Sequence, residues 1–270
     1  MGKIKTIIWY LERPWLYRMA TRDFFERYIL RKSPFDMVNV HGLEEVRMWC
    51  KRYAVDVKEA IQILTGKPLI QKVRDVHNNE FSYADQVNQR CTIELGGPGN
   101  VELLYWLARD CSASKVIETG VAFGWSSLAL LCGIQDNPKN QLISTNIPYM
   151  VGYKDEYVGG AVPNTLRAHW KIISRPDRQS IPKAIRELKE IDLCHYDSDK
   201  TYKGRCWAYP VLWQALRPGG YFISDDIEDN FAFREFVEKL GLKPIIVSSP
   251  EYRNDDYYVK YVGVIKKPIG

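Results

Sequence analysis

Residues 115–126 read KVIETGVAFGWS: a short run rich in β-branched residues, a turn with two glycines, and the start of the apolar stretch WSSLALLCGI (125–134). Glycine between a strand and a helix lets backbone approach a ligand closely and leaves the helix N–H groups facing it. The turn Glu118-Thr119-Gly120-Val121-Ala122-Phe123-Gly124-Trp125-Ser126 is not G-x-G-x-x-G, which speaks against a dinucleotide site. No Gly-Lys-Ser/Thr follows, so it is not a Walker loop. Two glycines in a strand–helix turn are common, and the turn alone identifies nothing.

Outward from this turn, strands alternate with helices. After Gly96-Gly97-Pro98-Gly99, VELLYWLARDC (101–111) predicts a helix and KVIET a first strand. QLISTN (141–146), WKIIS (170–174), IDLCHYD (191–197), YFISDD (221–226), KPIIVSS (243–249) and YYVKYVGVIKK (257–267) predict six more. Between them fall IPKAIRELKE, CWAYPVLWQAL and NFAFREFVEKLG, the last with Phe233, Phe236, Val237 and Leu240 at helix spacing. Arg217-Pro218-Gly219-Gly220 reads as a helix stop and a turn. Such alternation predicts an α/β fold, a mostly parallel, doubly wound sheet covered on both faces. Residues 1–90 read as a helical appendage or lid region, with LEEVRMWCKRYAVDVKEAIQIL (43–64) its strongest amphipathic stretch, and 91–270 as the α/β domain.

Composition is that of an ordinary globular protein: 270 residues, 46% hydrophobic and 26% charged. Six cysteines without a C-x-x-C pair argue against a zinc site or a disulfide framework and favour a reducing compartment. With no signal-peptide pattern and no apolar run of spanning length, the expected location is cytoplasmic. Residues 1–35 hold eight Lys/Arg (Lys3, Lys5, Arg13, Arg18, Arg22, Arg27, Arg31, Lys32) and three acids (Glu12, Asp23, Glu26), an excess equal to the chain's whole net charge of +5. Interleaved aromatics make the segment fit a peripheral membrane or protein contact, a homodimer interface, or packing on its own domain. No nucleic-acid module is recognisable, so no nucleic-acid partner is expected.

Two stretches carry acids at strand ends: HYDSDKTY (195–202), with Asp197 and Asp199, and GGYFISDD (219–226), with Asp225 and Asp226. Aspartate at a strand end is often a turn or a helix cap. Both stretches together, at neighbouring parallel strands, would gather carboxylates at the edge where open α/β sheets bind ligands. Like charges so placed need a cation, a donor or a shared proton. A hard divalent cation, with one carboxylate left over as a base, satisfies that need.

With these motifs in order, residues 90–267 resemble the class I S-adenosylmethionine-dependent methyltransferases. E-T-G-x-x-x-G-x-S resembles their cofactor motif; D-S-D-K-T-Y and P-G-G-Y-F-I-S-D-D resemble the D-G-D-H-x-Y and P-G-G-x-x-x-x-D-D segments of a metal-dependent branch acting on sugar or phenolic hydroxyls, such as the macrocin and aminocoumarin types. The resemblance implies a Rossmann-like seven-stranded sheet with its last strand antiparallel. It implies S-adenosylmethionine held by Gly120 and Gly124, with Glu118 and Ser126 as polar contacts and Asp197 nearby. It further implies Mg²⁺ or another hard divalent cation on Asp197, Asp225 and Asp226, Asp199 as general base, and Tyr202 in the pocket wall. The partner implied is a small-molecule hydroxyl acceptor, a vicinal diol or catechol suiting chelation by the metal.

Three positions depart from the pattern. Asn146 stands where relatives place an acid for the ribose hydroxyls. Lys200 replaces a histidine; its ammonium would weaken Asp199 as a base, and a desolvated Lys200 could serve as base itself. Arg175-Pro176-Asp177-Arg178 replaces a Gly-Asp-Ser turn, leaving Asp177 to meet the adenine edge. Asn146, Lys200 and the basic aromatic N-terminus favour the alternative of a non-catalytic binding or scaffolding protein on the same fold. A nicotinamide-dependent oxidoreductase is disfavoured by the glycine spacing. The insert Met150–Pro163 and residues 75–98 read as a lid or as plain surface loops.

Overall fold

The computed structural model describes residues 8–17, 21, 43–93, 95–149, 152–253 and 256–270. In chain order, helix α1 (Leu43–Tyr53) gives way to a two-residue strand, β1 (Ala54–Val55), and then to helix α2 (Val57–Thr65). The stretch expected as one amphipathic helix is therefore broken. Asp56 takes an extended conformation, and its side chain accepts the Lys58 and Glu59 N–H groups at 2.8 and 2.9 Å, starting a new helix. Helices α3 (Val73–Val76), α4 (Asn78–Arg90) and α5 (Val101–Asp110) lead to β2 (Lys115–Thr119), α6 (Trp125–Ile134), β3 (Gln141–Thr145) and β4 (Trp170–Ile173). Then come α7 (Asp177–Leu188), β5 (Ile191–Tyr196), α8 (Tyr202–Ala215), β6 (Leu216–Ser224), α9 (Ala232–Leu240), β7 (Ile245–Arg253) and β8 (Asp256–Lys266).

The strands form one sheet in the order β1-β7-β8-β6-β5-β2-β3-β4. β8 runs antiparallel to both β6 and β7, and the other pairings are parallel. The seven expected strands are present with the last one antiparallel, and β1 adds an eighth at the edge. Arg217-Pro218-Gly219-Gly220 is not a free turn. It lies within β6 as a register shift opposite Ile191–Leu193, and Gly219 donates to the Lys267 carbonyl at 2.8 Å.

Alternating side chains divide the sheet between two apolar layers. Val116, Leu142, Leu193, Tyr221 and Ile223 pack with α2, α4, α5 and α6. Ile117, Ile143, Cys194 and Phe222 pack with α1, α7, α8 and α9. Helix α6 is apolar all round because it is buried all round: of its residues only Ser126 is not buried. The N-terminal helices thus join both layers, through Ala60 and Phe81 on one side and Val46 and Cys50 on the other.

The chain reverses its winding between β2 and β5, the switch point at which such sheets bind ligands. Thr119 pairs with Thr145 and Tyr196, and Tyr196 pairs with Ser224. The next residues of these strands, Gly120, Asn146, Asp197 and Asp225, therefore leave the sheet at one level.

Near the N-terminus, the Arg175 guanidinium lies 3.5 Å from the centre of the Trp15 ring, and Gln179 Nε2 donates to the Trp15 carbonyl at 2.9 Å. This short piece packs on its own domain. The remainder of the basic segment, with the membrane, partner and dimer contacts expected of it, lies mostly outside the described residues. Among the described residues no helix is long and apolar enough to cross a membrane.

Candidate active site

The glycine turn is forced by what passes behind it. Gly120 has φ +84°, and a Cβ there would sit 2.0 Å from the Asp197 carbonyl oxygen. Gly124, at φ +96°, faces Gly159 at 2.9 Å by the same measure. Gly159 donates to the Ala122 carbonyl at 3.0 Å and Ala161 to that of Phe123 at 2.9 Å. The second half of the insert is therefore stitched to the turn, with Ala161 and Val162 fully buried. Above the turn opens a cleft of about 1410 Å³, lined also by Leu95–Asn100.

Of the residues expected at a site, Gly120, Gly124, Ser126, Asn146, Asp177, Asp197, Asp199, Lys200, Asp225 and Asp226 all line this cleft. Glu118 does not. It is fully buried, its Oε2 accepts from Ser127 and Ser144, and its Oε1 lies 3.8 Å from His195. The strand alternation turns it into the sheet, so it holds neighbours rather than a ligand. Asn146 Oδ1 accepts the Val121 N–H at 3.1 Å, and Nδ2 donates to the Ile147 carbonyl. Asp177 opens α7 and accepts from Ser198 Oγ; burial, ahead of its charged neighbours, raises its carboxyl. Tyr202 is not in the pocket wall: its hydroxyl donates to Glu235. Asp199 Oδ1 accepts from the Thr201 N–H and hydroxyl at 3.0 and 2.8 Å, so this acid also supports the start of α8.

The strand-end carboxylates each face a cation. Asp225 Oδ1 lies 3.4 Å from His195 Nε2. Burial alone would lower the His195 imidazole, but Asp225 and Glu118 on its two sides outweigh it and hold it up at about 10. Lys200 Nζ pairs with Asp226 Oδ2 and lies 3.2 Å from Asp197 Oδ1. Lys260 Nζ lies 3.3 Å from the other oxygen of Asp226. Burial opposes the ionised Asp226, yet Lys200 and Lys260 keep its carboxyl below the ordinary aspartate value. Asp197 is pushed up to about 6 by burial and by Asp225, against the pull of Lys200. Burial would likewise lower Lys200, but Asp197 and Asp226 hold it up.

Sequence reasoning missed three of these groups. His195 is a polar side chain in the apolar run IDLCHY, which was a visible signal. Lys260 arrives on β8, next to Asp226 only because that strand enters the sheet's middle. Arg205, 1% exposed, donates to the Asp226 and Asp225 carbonyls at 2.8 and 3.2 Å. It fixes a turn in which Asp226 has φ +51°, a conformation costly for a side-chain-bearing residue.

The expected Mg²⁺ ligands, Asp197, Asp225 and Asp226, do not fit a divalent cation. Among the described residues no three His, Cys, Asp or Glu are arranged to hold a metal ion. The reason is electrostatic: the ammonium of Lys200 lies between two of the three carboxylates, and the third serves His195. Unit charges about 4 Å apart at an effective dielectric of about 20 interact by about 4 kcal/mol, so a dication beside each ammonium would face roughly twice that in repulsion.

Residues 117–227 match a family model described as a methyltransferase domain. The fold is shared with an O-methyltransferase from Bacillus cereus solved in complex with SAH, at 15% identity and a TM-score of 0.52, covering 81% of this chain and 100% of that one. It is shared also with the O-methyltransferase TomG from Streptomyces achromogenes, involved in tomaymycin synthesis and solved with SAM, at 16% identity and a TM-score of 0.53, covering 80% and 98%. No curated protein matches the chain by sequence. Residues 117–227 are thus similar to a methyltransferase domain, and the fold is one shared with O-methyltransferases.

Proposed function

We propose that the chain methylates a hydroxyl oxygen of a small molecule, a sugar, phenol or natural product, with S-adenosylmethionine as donor. One observation carries the reading: the glycine turn after β2 and the acidic ends of β5 and β6 open into the same cleft. The turn lies in the cleft wall, where the backbone of Asp197 and Gly159 behind it admits only glycine at 120 and 124. Bound there, the sulfonium supplies a methyl group whose bond electrons stay with sulfur as the new C–O bond forms. Gly120, Gly124 and Ser126 would hold its methionine part, Asn146 the ribose through its amide, and Asp177 the adenine edge.

The chain's own groups do the rest. Asp199 faces the cleft and would take the acceptor's proton. Asp197 and Asp226 fix the position of Lys200 in the cleft. Holding hydroxyl and donor in one cleft supplies much of the remaining barrier lowering. No step is routed through a metal, since the acids do not fit one.

Calorimetric titration of the full chain with S-adenosylhomocysteine should show one site of micromolar affinity. Absence of heat at millimolar ligand, with S-adenosylmethionine also silent, removes the reading; binding of NAD instead moves the chain to another class.

A further inference from the structure

Resting on the methyl-transfer reading, we infer that the Lys200 ammonium, seconded by Lys260, stands in the place of a divalent cation, so that the site is a metal-free one. Three observations carry this. The Lys200 Nζ lies between Asp197 and Asp226, from two different strand ends, and lines the cleft. Lys260, from a third strand, takes the second oxygen of Asp226 at 3.3 Å and lines the same cleft. The remaining acid, Asp225, lies 3.4 Å from His195 Nε2. Two ammonium groups, from β8 and from the segment after β5, thus stand among the strand-end carboxylates where an ion would otherwise sit.

In this arrangement Lys200 presents N–H donors to the acceptor oxygen and stabilises the negative charge that grows on it as the proton leaves. The hydroxyl proton passes to Asp199, and the oxygen's electron pair forms the bond to the methyl carbon. The ammonium is neither consumed nor deprotonated.

The test uses Mn²⁺ alone, followed by the loss of its free-ion paramagnetic resonance signal on adding the full-length protein. S-adenosylhomocysteine binding is measured on the same samples, so that failure of the cofactor reading shows separately. Wild type should leave millimolar Mn²⁺ free. Lys200→Ala should bind one Mn²⁺ at least about tenfold more tightly, and Asp226→Asn added to it should abolish that binding. Stoichiometric Mn²⁺ binding by wild type overturns the proposal. So does silence in Lys200→Ala, for then removing the ammonium uncovers no ligand set. Methyl transfer that stops when wild type is treated with chelator overturns it equally.

Discussion

An ammonium and a dication acidify a hydroxyl to very different extents. A bound metal can bring water from about 15.7 to about 7, whereas a neighbouring unit charge shifts a group by about 1 to 3 units. If Lys200 does the acidifying, a phenol, ordinarily ionising near 10 like tyrosine, comes within reach of neutral pH, and an aliphatic sugar hydroxyl does not. A single ammonium also removes the need for two adjacent hydroxyls. Chelator-treated protein should therefore convert S-adenosylmethionine to S-adenosylhomocysteine faster with phenols than with methyl glycosides as acceptors, by about tenfold or more. The reverse order would sink this preference. Lys200, next to Asp199 in sequence, is held by Asp197 and Asp226.

At the scale of an element, the start of α8 ties fold to site. Thr201 caps the helix by accepting the Gly204 N–H at 3.0 Å, while Asp199 accepts from Thr201. A Cβ at Gly204 would lie 2.3 Å from the Asp199 carboxyl carbon. Alanine is intrinsically better in a helix by about 1 kcal/mol, but the collision decides the sign, and Gly204→Ala should cost about 1 to 3 kcal/mol. In an Asp199→Ala background the same change should become neutral or stabilising, as denaturant melts of the four proteins would show; an unchanged cost would mean the carboxyl is not the obstacle. Elements of this kind were legible in the sequence to differing degrees. WSSLALLCGI delimits α6 because both its ends are marked, by Gly124 and by the polar Gln135-Asp136. The strand β1 was not legible, since two residues carry no periodicity and are ordered only by Ile246 and Val247 beside them. Arg-Pro-Gly-Gly carries turn chemistry, yet the Gly219 N–H bond to the Lys267 carbonyl draws it into an interior strand. The site's residues were mostly legible, because strand ends are marked by apolar runs. Their charge balance was not, because Lys260 and Asp226 are far apart in sequence and meet only through antiparallel pairing.

Across the whole molecule, the sheet's two ends settle their charges differently. At the end opposite the cleft, Asp192 accepts the Ser114 and Lys115 N–H groups and the Ser114 hydroxyl, and pairs with Arg217 at 2.5 Å. Burial would raise this carboxyl, but the two backbone donors, Arg217 and the Ser114 hydroxyl together hold it below the ordinary aspartate value. A depressed native value means the unfolded chain binds the extra proton first, so the stabilisation is full above about pH 4 and fades as pH falls through the native value. Asp192→Asn should cost about 2 to 4 kcal/mol at neutral pH, with the gap from wild type narrowing on acidification; a gap that widens in acid would contradict the assignment. The cleft end instead depends on β8, which is made after both of the strands it lies between. Because β8 lies between β6 and β7, strands β1 and β7 join the rest of the sheet only through it. During synthesis, then, β7 emerges with no central partner to receive it, and Asp226 waits without Lys260 until β8 follows. The acidic edge gains Lys260 only once β8 has been made, and a chain cut short before residue 256 would leave β1 and β7 parted from the other five strands and Asp226 without Lys260.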